Sequence, residues 1–200
     1  MFYKVVRALC AVFLRLAFRF RVVGLENVPD GGGFILAANH RSNWDPVLAG
    51  IPVKRHKVCY MAKAELFQKN ALFARIITAL GAFPIERGKG DTGAIDWADR
   101  IITGGGVLGM FPEGTRHQPE MMQEVESGTA IIALRARVPL LPVYIDGKIR
   151  PFHITHIYYG KPMELDDLYA QGVNNDTAHQ LCQRIHDVFY AMRDEVHASK

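Results

Sequence analysis

Cysteine is scarce. The three present, Cys10, Cys59 and Cys182, are odd in number and widely spaced. They form no CxxC pair and no Cys/His set, so neither a disulfide framework nor a structural zinc site is expected; they read as free thiols in a reducing compartment. Long hydrophobic runs are missing from the amino-terminal segment: its longest, Ala8 to Leu14, falls far short of the roughly 20 residues that a spanning helix needs. A secretory leader is not expected either, because basic residues return at Arg15, Arg19 and Arg21 where a small-residue cleavage site would belong. Repeats, low-complexity tracts and dividing linkers are absent, which leaves 200 residues for one domain. Gly104-Gly105-Gly106 lacks the spacing and the lysine of a phosphate-binding fingerprint and reads as a loop. Nor is the charge lopsided. Twenty-four Lys and Arg against 20 Asp and Glu give +4, a mild surplus that fits an anionic partner (phosphate, nucleic acid or a membrane surface) without choosing among them.

What is present begins with the amino-terminal segment, residues 1–21. At about 100° per residue, Lys4, Arg7, Arg15 and Arg19 fall in one arc of roughly 120°. Phe2, Val5, Leu9, Phe13, Leu16 and Phe20 fall opposite. A wide apolar face with a basic stripe predicts a helix lying in the headgroup plane of an anionic membrane. The competing reading is an amphipathic helix packed on its own domain.

Residues 22–200 alternate short apolar runs with helical-length segments. Strands are predicted at Phe34–Ala38, Val58–Ala62, Gly81–Ile85, Val107–Phe111, Leu140–Ile145 and Thr155–Tyr159. Helices are predicted at Pro46–Ala49, Glu65–Leu80, Thr92–Thr103, Gly128–Arg137 and Thr177–Val196. Strands separated by helices predict an α/β domain with a largely parallel sheet flanked by helices. In such sheets, sites gather at the loops leaving the carboxyl ends of strands. The polar clusters fall at those ends: Asn39-His40, Lys63, Glu86-Arg87 and Glu113 to Arg116.

Within Asn39-His40-Arg41-Ser42-Asn43-Trp44-Asp45-Pro46, a turn can bring the Asp45 carboxylate to one imidazole nitrogen of His40 and leave the other free to take a proton. No serine or cysteine nucleophile is evident nearby, which favours attack by a substrate hydroxyl. The plainer alternatives are Asp45 as a helix N-cap before proline and His40 as a surface residue. In Phe111-Pro112-Glu113-Gly114-Thr115-Arg116, Gly114 permits a tight turn, Thr115 offers a hydroxyl and Arg116 a fork matched to two phosphate oxygens. Lys63, Arg87 and Arg116, ending neighbouring strands, could surround a dianionic phosphate; scattered surface cations are the alternative.

Four ordered stretches together carry a resemblance: Asn39-His40 with Asp45, Gly81 to Arg87, Phe111 to Arg116, and Val138-Pro139-Leu140-Leu141-Pro142-Val143. They resemble the four blocks of the glycerolipid acyltransferase family, lysophosphatidate acyltransferases in particular. Tyr159-Gly160-Lys161-Pro162 and the amphipathic start extend the similarity over most of the chain.

The resemblance implies His40 as general base with Asp45 as its partner. It implies that Lys63, Arg87, Glu113, Gly114, Thr115 and Arg116 bind the acyl acceptor, with Arg116 on phosphate, and that the proline-bearing strand shapes the acyl site. It further implies an acyl-CoA or acyl-carrier-protein donor, a lysophospholipid acceptor, no metal or other cofactor, no nucleic acid, and a place on the cytoplasmic face of the cell membrane. The sequence departs from the family pattern at His117, where serine is frequent, and at Ser127, where lysine is frequent. Both bear on the acceptor head group, so glycerol-phosphate, another lysophospholipid or a lyso-aminolipid are alternative acceptors. A thioester hydrolase and a non-catalytic membrane-binding protein are the alternatives from other classes.

Overall fold

Short apolar runs without intervening charge suit strands covered on both faces. β2 (Phe34–Ala38) and β6 (Leu140–Asp146) are such runs, and every residue in both is buried. The structure, a computed structural model, describes residues 2–68, 70–85, 92–116, 121–147, 149 and 153–199. Around those two strands it assembles β1 (Arg19–Val23), β3 (Val58–Lys63), β4 (Ala82–Ile85), β5 (Val107–Met110) and β7 (Ile154–Tyr159). The seven-stranded sheet has the order β1-β7-β6-β2-β5-β3-β4. All pairs are parallel except β6 with β7.

The helices are α1 (Phe2–Ala17), α2 (Asp45–Gly50), α3 (Glu65–Gln68), α4 (Ala71–Ala79), α5 (Thr92–Thr103), α6 (Ser127–Ala136), α7 (Asp166–Gln171) and α8 (Asn175–Ala198). The two-residue period of β2 splits the core between the two sheet faces. Ile35 and Ala37 join Leu108 beneath Ala98, Ala130 and Leu181 of α5, α6 and α8. Phe34, Leu36 and Ala38 join Val58, Leu141 and Val143 beneath Leu14 of α1 and Leu48 of α2. Each fully buried side chain of this size contributes about 1.5–3 kcal/mol of transfer free energy.

The six predicted strands are present within a residue or two, and so is the largely parallel α/β sheet flanked by helices. Three local readings change. The chain predicted to stay helical through Phe20 leaves the helix at Ala17, and residues 19–23 alternate instead, with Phe20 and Val22 packed inward and Arg19, Arg21 and Val23 exposed. β1 is an edge strand, and outward arginines suit that position. The helix predicted over Glu65–Leu80 breaks into two, because the Asn70 side chain accepts the Phe73 N–H at 3.0 Å and caps a new helix. The short α7 carries too few periodic positions to be read from sequence.

Candidate active site

The site is built where four parallel strands end side by side. At the end of β2, Asn39 is fully buried. Its side chain accepts the Ile145 N–H at 2.7 Å and donates to the Ile145 carbonyl at 3.0 Å, replacing a ladder pair with β6. That fixes the point at which the chain leaves the sheet, and His40 is the next residue.

The loop then folds around a carboxylate. Asp45 is completely buried, and its Oδ2 takes His40 Nδ1 at 2.9 Å and the Arg41 and Ser42 N–H groups at 2.6 Å each. The N-cap position of α2 is Trp44, with no side-chain cap bond. Asp45 therefore does not cap its helix; it closes the preceding loop. A carboxylate can only accept, so Nδ1 carries the proton and Nε2 the lone pair. The imidazole stacks on Phe111, with centroids 4.1 Å apart and planes 24° apart.

Glu113 ties this loop to the one after β5. Its Oε1 accepts the His40 N–H at 2.7 Å and its Oε2 the Met122 N–H at 3.1 Å. Met122 is buried in the left-handed region, at φ +52°, a conformation that costs an L-residue about 1–2 kcal/mol. The bond to Glu113 helps hold it there. At 1% exposure, Glu113 faces into the protein and acts on the histidine's backbone. Gly114 sits at φ +64°, and a Cβ there would lie 2.6 Å from the Glu126 side chain, so the turn requires glycine.

Thr115 and Arg116 are exposed, and Arg116 donates to Asn43 Oδ1 at 2.5 Å, linking the two loops across the site's rim. Lys63 is exposed at the end of β3, the strand beside β5. Arg87 lies outside the described residues, as does His117. Sequence reasoning thus names His40, Asp45, Glu113 and Arg116, which the fold links through direct contacts around one loop pair. It misses the ring of Phe111 under His40, the Asn39 bridge and the Asn43 link. Of these only Asn39 leaves a signal: an amide directly after an apolar strand has to find partners.

Such an arrangement can accept a proton at Nε2 while Asp45 stabilises the imidazolium, and can present cations to an anion beside it. Among the described residues, no group of three or more His, Cys, Asp or Glu is placed to hold a metal ion.

Known proteins share this framework. Residues 19–146, from β1 through β6, match the protein-family model described as Acyltransferase. The chain is 30% identical over 145 residues to the 1-acyl-sn-glycerol-3-phosphate acyltransferase of Bacillus subtilis (strain 168), an alignment covering 72% of this chain and 71% of that protein. Over 203 residues it is 29% identical to the protein of the same name from Streptococcus pneumoniae, covering 98% of this chain and 74% of that one. In three dimensions it resembles the 1-acyl-sn-glycerophosphate (LPA) acyltransferase PlsC from Thermotoga maritima, with a TM-score of 0.72 over 96% of this chain and 79% of the other. At 22% identity, that likeness is one of fold.

Proposed function

The chain belongs to the Acyltransferase family, and from that premise we propose that it moves a fatty acyl group from acyl-CoA or acyl-carrier protein to the free hydroxyl of lysophosphatidic acid, giving phosphatidic acid. The observation that carries the reading is the His40–Asp45 pair at the carboxyl edge of the sheet, with Nδ1 bonded at 2.9 Å and no partner needed from a protein nucleophile. His40 Nε2 takes the acceptor's hydroxyl proton as its oxygen attacks the thioester carbonyl carbon. The tetrahedral intermediate collapses with cleavage of the C–S bond, and the departing thiolate recovers the proton from the imidazolium. Asp45 holds the tautomer and stabilises the imidazolium. Arg116, with Lys63 and Arg87, binds the acceptor phosphate. Glu113 and Gly114 keep the Arg116 loop and the His40 backbone in register, and Thr115 offers a hydroxyl beside them.

The names of the relatives favour lysophosphatidic acid as acceptor. An acceptor panel tests this. Thiol release with lysophosphatidic acid should exceed that with glycerol-phosphate, a lyso-aminolipid or a neutral lysophospholipid. Arg116→Lys should raise the KM for the phosphate acceptor by about tenfold, because a point charge cannot replace a two-pronged fork. Equal rates across the panel, or an unchanged KM, would remove the phosphate pocket.

The same enzyme works at the cytoplasmic face of a membrane as a peripheral protein. Among the described residues no helix is long and apolar enough to cross a bilayer. On α1, however, Val5, Leu9, Val12, Phe13 and Leu16 are exposed, Leu16 at 83%. Leu72, Phe73 and Ile76 of the adjacent α4 are exposed as well. Trp44 continues this face to the His40 loop, its ring 5.9 Å from Phe13 and 5.6 Å from Phe18. Contiguous apolar surface on a basic protein suits an anionic bilayer. The basic stripe is narrower than the helical wheel suggests. Lys4 is exposed, but Arg7 turns inward to the Ile51 carbonyl at 3.3 Å, and Arg19 belongs to β1; the Arg15 side chain lies outside the described residues. The test is therefore apolar. Leu9→Asp with Leu16→Asp should release the protein from anionic vesicles in co-sedimentation while a soluble short-chain acceptor still reacts. Equal sedimentation of variant and wild type would overturn the anchoring.

A further inference from the structure

Tyr60, on β3, is a large polar side chain that the mechanism above does not use, yet the fold clears space for it twice. Its β5 neighbour in register is Gly109, where a Cβ would lie 2.1 Å from the tyrosine ring. Gly50, the last residue of α2, keeps clear of the hydroxyl; a Cβ there would approach it to 2.9 Å. The ring is 8% exposed and stacks with Phe111, centroids 5.9 Å and planes 18° apart. Phe111 is the ring on which His40 rests.

At its other end Tyr60 carries a hydroxyl that is buried and without a hydrogen-bond partner among the described residues. The same is true of Asp45 Oδ1, the carboxylate oxygen that His40 does not use. A phenylalanine would fill the same space without burying a polar atom, so an unbonded hydroxyl is a net cost at this position. Burial above all, then the neighbouring Tyr159 and Tyr3 phenols and the Asp45 charge, push the Tyr60 phenol well above its ordinary range. It is a proton donor at any working pH, and Asp45 Oδ1 is an acceptor without a donor.

The geometry points to Tyr60 as a positioning residue for the His40–Asp45 pair, its ring backing Phe111 beneath the imidazole and its hydroxyl donating to Asp45 Oδ1 through one bridging water. A water between two buried polar groups that do not meet directly serves nearly as well as a direct bond. The inference rests on His40 as the base. A donor on Oδ1 draws off part of the carboxylate's charge; removing it leaves more charge facing the imidazole, which then holds its proton more tightly. The other ionisable groups on the two loops of the pair are Glu113, Arg41 and Arg116, while Tyr159, Tyr3 and Cys59 face Tyr60 itself; all of them are retained when Tyr60 is replaced by phenylalanine.

The test is Tyr60→Phe in the full chain, assayed with a lysophosphatidate acceptor and an acyl thioester. The ring stack survives, so KM should match wild type, and melting temperature should fall by no more than the loss of one hydrogen bond. kcat should fall about tenfold, because the carboxylate that orients His40 loses the bond fixing its second oxygen, a hydrogen bond to a charged group. The acid limb of kcat/KM should move to higher pH, since that limb reports the free enzyme's base. Tyr60→Leu, which removes the ring as well, should lose more. Wild-type kcat with the acid limb in place in Tyr60→Phe would overturn the inference. So would a loss of activity that follows melting temperature with the limb unmoved, because that is packing alone. His40→Ala separates the two levels: if it transfers normally, the base assignment falls, whereas if it is inactive and Tyr60→Phe behaves as wild type, only the role of Tyr60 falls.

Discussion

His40→Ala protein should remain folded and lose transfer by about 10²- to 10⁴-fold, the usual contribution of a positioned general base. The fold survives because the loop does not hang on the imidazole. Asp45 Oδ2 keeps the Arg41 and Ser42 N–H groups, and the His40 backbone N–H keeps Glu113. What goes is the imidazole whose Nδ1 meets the carboxylate, together with its stack on Phe111. Substrate KM values should change little, since neither Arg116 nor Lys63 depends on the imidazole. Steady-state kinetics with a melting curve on the same preparation checks both halves. Near-normal turnover by a folded His40→Ala protein would end the proposed mechanism.

Asp45→Asn should be the second-largest loss, again about 10²- to 10⁴-fold. The substitution keeps volume, and one amide oxygen can still accept the two backbone N–H groups at the Oδ2 position. What fails is imidazolium stabilisation, because an amide does not supply it as a carboxylate does; the rotamer with NH₂ toward His40 would set that NH₂ against the Arg41 and Ser42 N–H donors. Asp45→Ala should behave differently. It strands the Arg41 and Ser42 N–H groups, each at a cost of about 1–3 kcal/mol, so melting temperature falls along with activity. A wild-type rate in Asp45→Asn, measured beside its melting curve, would remove the carboxylate from the chemistry.

Sequence made the sheet readable where burial is two-sided, as in Phe34–Ala38 and Leu140–Asp146, because such runs have few alternatives. It misled at Arg19–Val23, where arginines at positions 19 and 21 satisfy a helical wheel as readily as an edge strand. Only pairing with β7 separates the two. Arg7 misled for a related reason: a wheel sorts residues by angle but does not say which side faces the domain. At the site, His40 and Asp45 were legible because they lie five residues apart and meet through a local turn. Glu113 was legible as a member of the site but not as a clamp, since its contact with the His40 N–H spans 73 residues. Phe111 beneath the imidazole follows β5 and Tyr60 beneath Phe111 lies on β3, so their stacking depends on which strands are neighbours.

A lipid hydroxyl activated by His40 is expected to attack the thioester directly, with no acyl group ever resting on the protein. Rapid-mixing measurement of thiol release from an acyl thioester, with and without lysophosphatidic acid, tests it most directly when the protein's intact mass is recorded at each time point. Thiol should be released only when the acceptor is present, with no burst and an unchanged protein mass throughout. A burst equal to the enzyme concentration with a matching acyl adduct, or steady thiol release without acceptor, would contradict direct attack by the lipid hydroxyl.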